Sequence, residues 1–154
     1  MGLSAEIPGR PPLALEHLVL DVNGTLTNRG VLVDGVAERL ARLGEMLELH
    51  LLSADTFGSL ADVADALGAR STRIESGEDK RRVVAELGAE RCAAVGNGAN
   101  DEAMLETAAL GIAVLGPEGA AAAALRAADV ACSSILDALD LLLDERALIA
   151  TLRR

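Results

Sequence analysis

The sequence predicts one α/β domain, a Rossmann-like three-layer sandwich in which a mainly parallel β-sheet lies between two layers of helices. The chain has 154 residues, which suits a single domain, and 51% of them are apolar, enough for a continuous core. Short apolar runs alternate with longer helical patterns, as in folds built from right-handed crossovers. Because only 1% of the residues are aromatic, Leu, Val, Ile and Ala must fill the core.

Residues 1–15 contain Pro8, Pro11 and Pro12 but neither a basic start nor a long apolar run. They therefore resemble neither a signal peptide nor a membrane span, and we expect a cytoplasmic protein that does not bind membranes. We interpret this segment as a flexible N-terminal tail that precedes a single domain of residues 16–154.

The composition also argues against nucleic acid as a partner. The formal net charge is −10, which would repel a phosphate backbone, and Phe57 is the single aromatic residue available for base stacking.

Six apolar runs predict the strands of the sheet. The predicted strands cover residues 17–20, 49–53, 71–74, 92–95, 111–115 and 129–132. Between the first two strands, a turn at residues 28–30 predicts a small hairpin or flap over residues 26–35.

Helical periodicity and helix-ending residues predict six helices. The predicted helices cover residues 36–47, 56–67, 80–87, 101–109, 117–127 and 133–152. Asp55 is placed to cap the second helix, Gly68 and Gly88 to end the second and third, and Asp144 to break the last one.

Asp21, Ser53 and Asn97 each lie at the carboxyl end of a predicted strand, in different crossover units. In parallel sheets the functional crevice lies beyond the carboxyl ends of the strands, so these three side chains are expected to meet there. Taken singly, Asp21 and Ser53 also suit turns, Lys80 suits a solvated helix face, and Asp101 suits a helix cap.

The cysteines and histidines point to structure rather than chemistry. Cys92 and Cys132 lie in apolar runs without a nearby partner and are interpreted as small core residues. His17 and His50 lie within predicted strands, away from the carboxyl ends, so a core or rim position is favoured over a catalytic one.

Four motifs in this order resemble those of the haloacid dehalogenase (HAD) superfamily, and more closely its small P-type-ATPase-like proteins. They are residues 21–27 (DVNGTLT), 53–55 (SAD), Lys80 and 96–101 (GNGAND). The resemblance spans about residues 18–152 and implies a HAD-like fold with a Mg²⁺-assisted phosphohydrolase or phosphoryl-transfer activity.

The resemblance also implies roles for individual residues. Asp21 would be the nucleophile and form an aspartyl-phosphate, with Asn23 and Lys80 as its catalytic neighbours. The implied phosphate-binding residues are Gly24, Thr25, Ser53, Lys80 and Asn100, and the implied Mg²⁺ ligands are Asp21, Asn23, Asn97 and Asp101.

Two positions depart from the family's motifs. HAD phosphatases usually carry Asp where Asn23 stands, as the general acid and base, and Asp where Asn97 stands, as a metal ligand. An amide has no proton to shuttle and no charge for the cation, so slow turnover and weak metal binding are expected. A non-catalytic phosphate-binding or regulatory protein is the alternative.

The sequence has no long insertion between residues 28 and 35 or between 68 and 80 that would form a cap domain. Capless HAD proteins act on exposed phosphorylated substrates, small or macromolecular, or use a neighbouring subunit as a cover. A homo-oligomer, in which one subunit covers the site of another, is therefore a hypothesis for this chain.

Overall fold

A six-stranded parallel sheet forms the centre of the computed structural model, which describes residues 2–54 and 60–154. The strands in chain order are β1 (Leu3–Ala5), β2 (Leu13–Leu15), β3 (His17–Asp21), β4 (Thr27–Asn28), β5 (Val31–Leu32), β6 (Glu48–Ser53), β7 (Arg70–Arg73), β8 (Cys92–Gly96), β9 (Leu110–Val114) and β10 (Val130–Cys132). The central sheet has the order β10-β9-β8-β3-β6-β7. In chain order, the strands lead from β3 through β6 to β7 at one edge of the sheet, and then from β8 through β9 to β10 at the other edge.

Helices cover both faces of this sheet. They are α1 (Val36–Leu43), α2 (Leu60–Leu67), α3 (Gly77–Leu87), α4 (Glu102–Thr107), α5 (Ala122–Ala127), α6 (Ile135–Leu143) and α7 (Glu145–Leu152). Leu18 and Leu20 of β3 face a core shared with α1 and α6, whereas Val19 faces a core shared with α3 and α4. This alternation, which puts apolar side chains on both faces of a parallel strand, confirms the predicted three-layer α/β sandwich.

The N-terminal segment differs from the predicted flexible tail. Strands β1 and β2 pair antiparallel, with Leu3 opposite Leu15, and their inward side chains join the main core. The physical reason is an alternation of apolar residues at every second position, which is typical of a half-covered strand, on both sides of the prolines. Those prolines lie in the connection between the strands, where they remove no ladder hydrogen bond.

Between β3 and α1 the chain forms a small hairpin, as predicted. Strands β4 and β5 are two residues each. Val33 N donates to Leu26 O at 2.9 Å, which closes the base of the hairpin. Within the described residues this short hairpin is the largest insertion over the carboxyl end of β3, so no cap domain is present there.

Several helix boundaries differ from the prediction. α1 ends at Leu43 because Gly44 begins a turn, although Leu47 still packs in the core. The predicted break at Asp144 is confirmed, and its carboxylate caps α7 by accepting from Ala147 N at 3.1 Å. The predicted cap Asp55 and the first residues of the second helix lie outside the described residues.

Both cysteines are free and buried, as predicted. Burial raises the pKa of the Cys92 thiol to about 11, so the thiolate needed for reactivity is disfavoured. No helix in the described parts of the chain is both long and apolar enough to cross a membrane.

Candidate active site

The candidate site is a cleft at the point where the strand order reverses, between the carboxyl ends of β3 and β8. Its volume is about 630 Å³. Residues that line it include Asp21, Asn23, Ser53, Glu75, Lys80, Asn97, Asn100 and Glu118. Asp21 and Asn97 reach the same cleft because parallel strands present their carboxyl ends on one side of a sheet.

The carboxylate of Asp21 is held at both oxygens. Lys80 Nζ donates to Oδ1 at 3.0 Å, and Thr25 Oγ1 donates to Oδ2 at 2.8 Å. Asp21 is 7% exposed, so its orientation is fixed while one side stays open to the cleft.

A tight turn connects Asp21 to the rest of the site. Thr25 N and Leu26 N both donate to Val22 O, which folds the chain back on itself directly after β3. Gly24 within this turn has φ 78°, in the left-handed region where glycine has no steric penalty. The turn thereby places the Thr25 hydroxyl beside the carboxylate four residues before it.

Lys80 reaches Asp21 from the first turn of α3. Ser76 and Asp79 form a capping box that fixes where α3 begins, with Asp79 N donating to Ser76 Oγ at 3.2 Å. Lys80 is 1% exposed, and its Nζ also donates to Asp101 Oδ1 at 2.6 Å. A cation in this position is therefore buried between two carboxylates and does not lie on a solvated helix face.

The pKa values of the site reflect this burial. Desolvation, together with the nearby charge of Asp101, raises the pKa of Asp21 to about 6, although Lys80 and Thr25 oppose the shift. Burial alone would lower the pKa of Lys80, but the two carboxylates outweigh it and hold that pKa above its ordinary value. Near neutral pH, Asp21 is mostly ionised and Lys80 is protonated.

Asp101 lies behind Lys80 with both oxygens engaged. Its Oδ1 accepts from Lys80, while Oδ2 accepts from the backbone N–H groups of Asn97 and Gly98 at 3.0 and 2.9 Å. It is fully buried and packs against Gly96, where any side chain would clash with its carboxyl group. Asp101 thus holds both the lysine and the turn after β8.

The two asparagines that replace expected aspartates are both tied to neighbouring groups. Asn23 Nδ2 donates to Ser53 Oγ at 3.0 Å, across the gap between β3 and β6. Asn97 Nδ2 donates to Gly119 O at 3.1 Å, and its Oδ1 lies 3.2 Å from Thr25 Oγ1. Asn97 therefore connects the turn after β3 to the loop before α5.

Glu118 is a carboxylate in this cleft that sequence reasoning missed. The sequence predicted a helix from residue 117, but Gly116 and Gly119 form a turn, in which Gly119 has φ 73°, and α5 begins only at Ala122. The turn carries Glu118 over Gly24, where a Cβ would collide with Glu118 Oε2. A Pro-Glu-Gly sequence is a turn signal, and it could have located this residue.

The charge of the lining suits a cation. Among the described residues that line the cleft, the carboxylates of Asp21, Glu75 and Glu118 outnumber the single ammonium of Lys80. Asp21 Oδ2 and Asn97 Oδ1 each contact Thr25 Oγ1, and Glu118 Oε2 lies over the adjacent Gly24, so three oxygen donors lie along one turn. Hard divalent cations prefer oxygen ligands. The residues present therefore fit a Mg²⁺-type ion.

Sequence relatives of the chain are uncharacterised proteins. No protein-family model matches it. Protein MJ0073 of Methanocaldococcus jannaschii is 52% identical over 60 residues, which are 39% of this chain and 64% of that protein. Protein MJ0072 of the same organism is 49% identical over 39 residues, 25% of this chain and 89% of that protein, so the chain belongs to the same family as MJ0072.

Solved structures identify the fold. A HAD family hydrolase from Streptomyces avermitilis superposes with a TM-score of 0.67 at 23% identity, covering 88% of this chain and 89% of that one. The domain has the haloacid dehalogenase fold. The 3-deoxy-D-manno-octulosonate 8-phosphate phosphatase of Moraxella catarrhalis, whose structure contains magnesium and phosphate ions, gives a TM-score of 0.64 at 18% identity, covering 90% and 94% of the two chains.

The HAD-fold domain also resembles part of a much larger protein. A zinc-transporting PIB-type ATPase matches with a TM-score of 0.65 at 27% identity, over 79% of this chain but 20% of that one. The P-type-ATPase-like subgroup stays a prediction, because the HAD family hydrolase and the phosphatase match over most of their own length with similar TM-scores.

Within this HAD-fold domain, the structure brings all predicted site residues to one place. Asp21, Asn23, Ser53, Lys80, Asn97 and Asn100 line the cleft. Thr25 and Asp101 lie buried directly beneath it, and Gly24 lies under Glu118.

Proposed function

We propose that the protein is a phosphohydrolase or phosphoryl-transfer enzyme that acts through Asp21. The observation that carries the proposal is the buried arrangement in which Lys80 and Thr25 each hold one oxygen of Asp21 at the mouth of an open cleft. A carboxylate with a fixed orientation beside a buried cation is suited to attack on an anionic phosphoryl group.

The proposed reaction has two steps. An oxygen of Asp21 forms a bond to phosphorus while the bond to the leaving oxygen breaks and its electron pair departs with the leaving group. Water then attacks the aspartyl-phosphate, which returns the carboxylate and releases inorganic phosphate. Lys80 offsets the repulsion between Asp21 and the phosphoryl oxygens. Ser53 and Asn100 are proposed to contact the phosphate from the opposite side of the cleft.

Proton transfer to the leaving group is expected to limit the rate of the proposed reaction. Asn23 has no titrating proton and donates its amide to Ser53, so the leaving group must take its proton from elsewhere. Substrates whose leaving groups need no proton, such as acyl phosphates, are therefore favoured over simple alkyl phosphates.

A divalent cation completes the proposed site, and Mg²⁺ is the expected ion. When bound, it would neutralise charge on the phosphate oxygens. Asp21 and Asn97 are the proposed ligands, with Glu118 supplying the negative charge that Asn97 lacks. Asn23 stays a predicted ligand. Asp101 is fully buried and does not line the cleft, so it is proposed to position Lys80 instead.

The solved neighbours support a phosphorylated substrate, because one is a phosphatase of a sugar acid phosphate. A macromolecular substrate, or a second copy of this chain as a cover, is also proposed because in the described residues only the short β4–β5 hairpin is inserted between β3 and α1. The homo-oligomer, the cytoplasmic location and the exclusion of nucleic acid remain predictions.

The test is phosphate release from acetyl phosphate and p-nitrophenyl phosphate with Mg²⁺, comparing the protein with Asp21→Asn. We expect that variant to lose all release and the wild-type protein to show covalent phosphate on Asp21 by mass spectrometry. Asp34→Asn makes the same chemical change at an exposed position outside the cleft and should be neutral. Equal release by wild type and Asp21→Asn would overturn the proposal.

A regulatory phosphate-binding protein is the second candidate, favoured by one observation. Both asparagine amides make structural hydrogen bonds, Asn23 to Ser53 and Asn97 to Gly119, as expected of a site retained for binding alone. This alternative predicts that beryllofluoride, a mimic of the phosphoryl group, or inorganic phosphate binds with Mg²⁺ while no phosphate is released from either substrate.

A further inference from the structure

The two histidines of the chain meet at the end of the sheet opposite the Asp21 cleft. His17 begins β3, and Glu48, which begins β6, is its partner in the parallel register. His50 lies two residues after Glu48, so both side chains project from the same face of β6. Asp21 lies four positions after His17 in β3, which places the two residues about 13 Å apart along the strand.

Three potential ligand atoms face one another at this place. His17 Nδ1 lies 3.2 Å from His50 Nε2 and 3.8 Å from Glu48 Oε2, and His50 Nε2 lies 3.6 Å from Glu48 Oε1. In a tetrahedral site with metal–nitrogen bonds of about 2.0–2.1 Å, two coordinating nitrogens are about 3.3–3.4 Å apart. The histidine nitrogens are thus already at nearly that separation, and the carboxylate is within a small side-chain movement of it.

The surroundings hold these side chains in position. His50 is buried, and Arg70 Nε contacts Glu48 Oε1 at 2.6 Å, which fixes the carboxylate while leaving Oε2 directed towards His17. Such an outer partner on a ligating carboxylate is common in metal sites.

The site is reachable from solvent. A surface cleft of about 480 Å³ is lined by His17 and Glu48 together with Gly44, Met46 and Arg91. A water molecule could enter from this side as a fourth ligand, and three protein ligands with one open position are typical of non-structural zinc sites.

We propose that His17, Glu48 and His50 form a binding site for Zn²⁺ or a similar transition-metal cation, separate from the Asp21 cleft. Two imidazole nitrogens and one carboxylate favour a borderline metal of this kind over Mg²⁺, which prefers oxygen ligands. Bound metal would join the first residues of β3 and β6, and so stabilise the centre of the sheet.

The alternative is a plain hydrogen bond between the two rings, with Glu48 serving Arg70 alone. In that case His17 and His50 would be the rim histidines that the sequence favours, and no metal would bind. Nitrogen-15 NMR of the imidazole rings separates the two cases, since the chain has two histidines and only four ring nitrogens to assign.

The experiment titrates Zn²⁺ into the full-length protein and follows those ring nitrogens, with Co²⁺ absorption as a second readout. We expect one equivalent to shift Nδ1 of His17 and Nε2 of His50, and Co²⁺ to give the visible bands of a tetrahedral site. Asp21→Asn, which alters the distant cleft, should bind the same equivalent.

Glu48→Gln and His50→Gln should each raise the dissociation constant for Zn²⁺ at least about tenfold. Glu48 is partly exposed, so its variant should keep the fold, as circular dichroism will check. Glu45→Gln, an exposed acid in the preceding turn, is the matched control. Unchanged ring nitrogens at one equivalent of Zn²⁺, or equal affinity in Glu48→Gln and Glu45→Gln, would overturn the site.

Discussion

Lys80 Nζ lies 2.6 Å from Asp101 Oδ1, which is closer than its 3.0 Å contact with the proposed nucleophile. The lysine is therefore anchored from behind by an acid that does not line the cleft. We therefore expect Lys80 to keep its position in the proposed aspartyl-phosphate, in which Asp21 no longer carries a free carboxylate.

Asp101→Asn should weaken both the fold and the proposed activity. The amide offers one acceptor oxygen where the carboxylate accepts on both, so either Lys80 or the backbone N–H groups of Asn97 and Gly98 lose their buried acceptor. A buried hydrogen-bonding group left unsatisfied typically costs about 1–3 kcal/mol. Urea denaturation should show this loss, and the KM for acetyl phosphate should rise because Lys80 is no longer positioned. Glu102→Gln, at the exposed neighbouring position, should change neither quantity. A normal KM in Asp101→Asn would mean that Asp21 alone fixes Lys80.

Asp21→Asn should stabilise the folded protein at pH 8. The folded-state pKa of about 6 lies above the ordinary value of 3.8, so the folded state binds the proton more tightly than the unfolded state. Wild-type stability from this group is therefore present at low pH and is lost as pH rises from about 4 to about 6.

A neutral amide avoids this loss, so the gain in the free energy of unfolding should be on the order of 3 kcal/mol at pH 8. Towards pH 4 the gain should disappear, since Asp21 is then protonated in the folded protein. Thermal unfolding of both proteins at the two pH values measures the difference. A gain of equal size at both would point to a cause other than ionisation.

Asn23→Asp should raise turnover if proton transfer limits the proposed reaction. A positioned general acid and base is worth about 10²–10⁴ in rate, so an increase of at least about tenfold is expected. The increase should be larger for alkyl phosphates, whose leaving groups need a proton, than for acetyl phosphate. Asn28→Asp adds the same charge in the exposed hairpin and serves as the control. Equal increases for both substrates would argue that added charge, and not proton transfer, is the cause.

Glu118→Gln should weaken Mg²⁺ binding in the Asp21 cleft. Its carboxylate lies over Gly24 and supplies negative charge on the side where Asn97 has none. Isothermal titration with Mg²⁺, or with Mn²⁺ as a spectroscopic substitute, should show affinity reduced by roughly tenfold, as for other residues that support a metal site. Glu106→Gln, exposed on α4, is the matched control. Identical affinities would remove Glu118 from the proposed site.

The sheet and the location of the cleft could be predicted because both follow from simple patterns. Asp21, Ser53 and Asn97 each follow a buried apolar run, and parallel strands bring such ends together. The position of Lys80 in the site could be predicted only from the family resemblance, because a lysine in a basic run on a helix is ordinarily solvated.

The missed features depend on contacts between distant parts of the chain. The prolines of residues 1–15 predict a flexible tail, yet the alternation of Leu3, Ala5 and Ile7 places apolar side chains against the core. The sequence places Glu118 in a predicted helix. In the structure it lies in a turn over Gly24, and Asn97 holds this turn by donating to Gly119 O. No local pattern in the sequence encodes that contact.

The outer strand β7 bears on how copies of the protein can associate. All four of its residues are exposed, and Arg70 and Arg73 place a positive charge at each end. Charged side chains on an edge strand oppose continuation of the sheet into another molecule. Two copies of this chain are therefore not expected to extend the sheet across β7, and an interface on this side of the sheet would form through side chains.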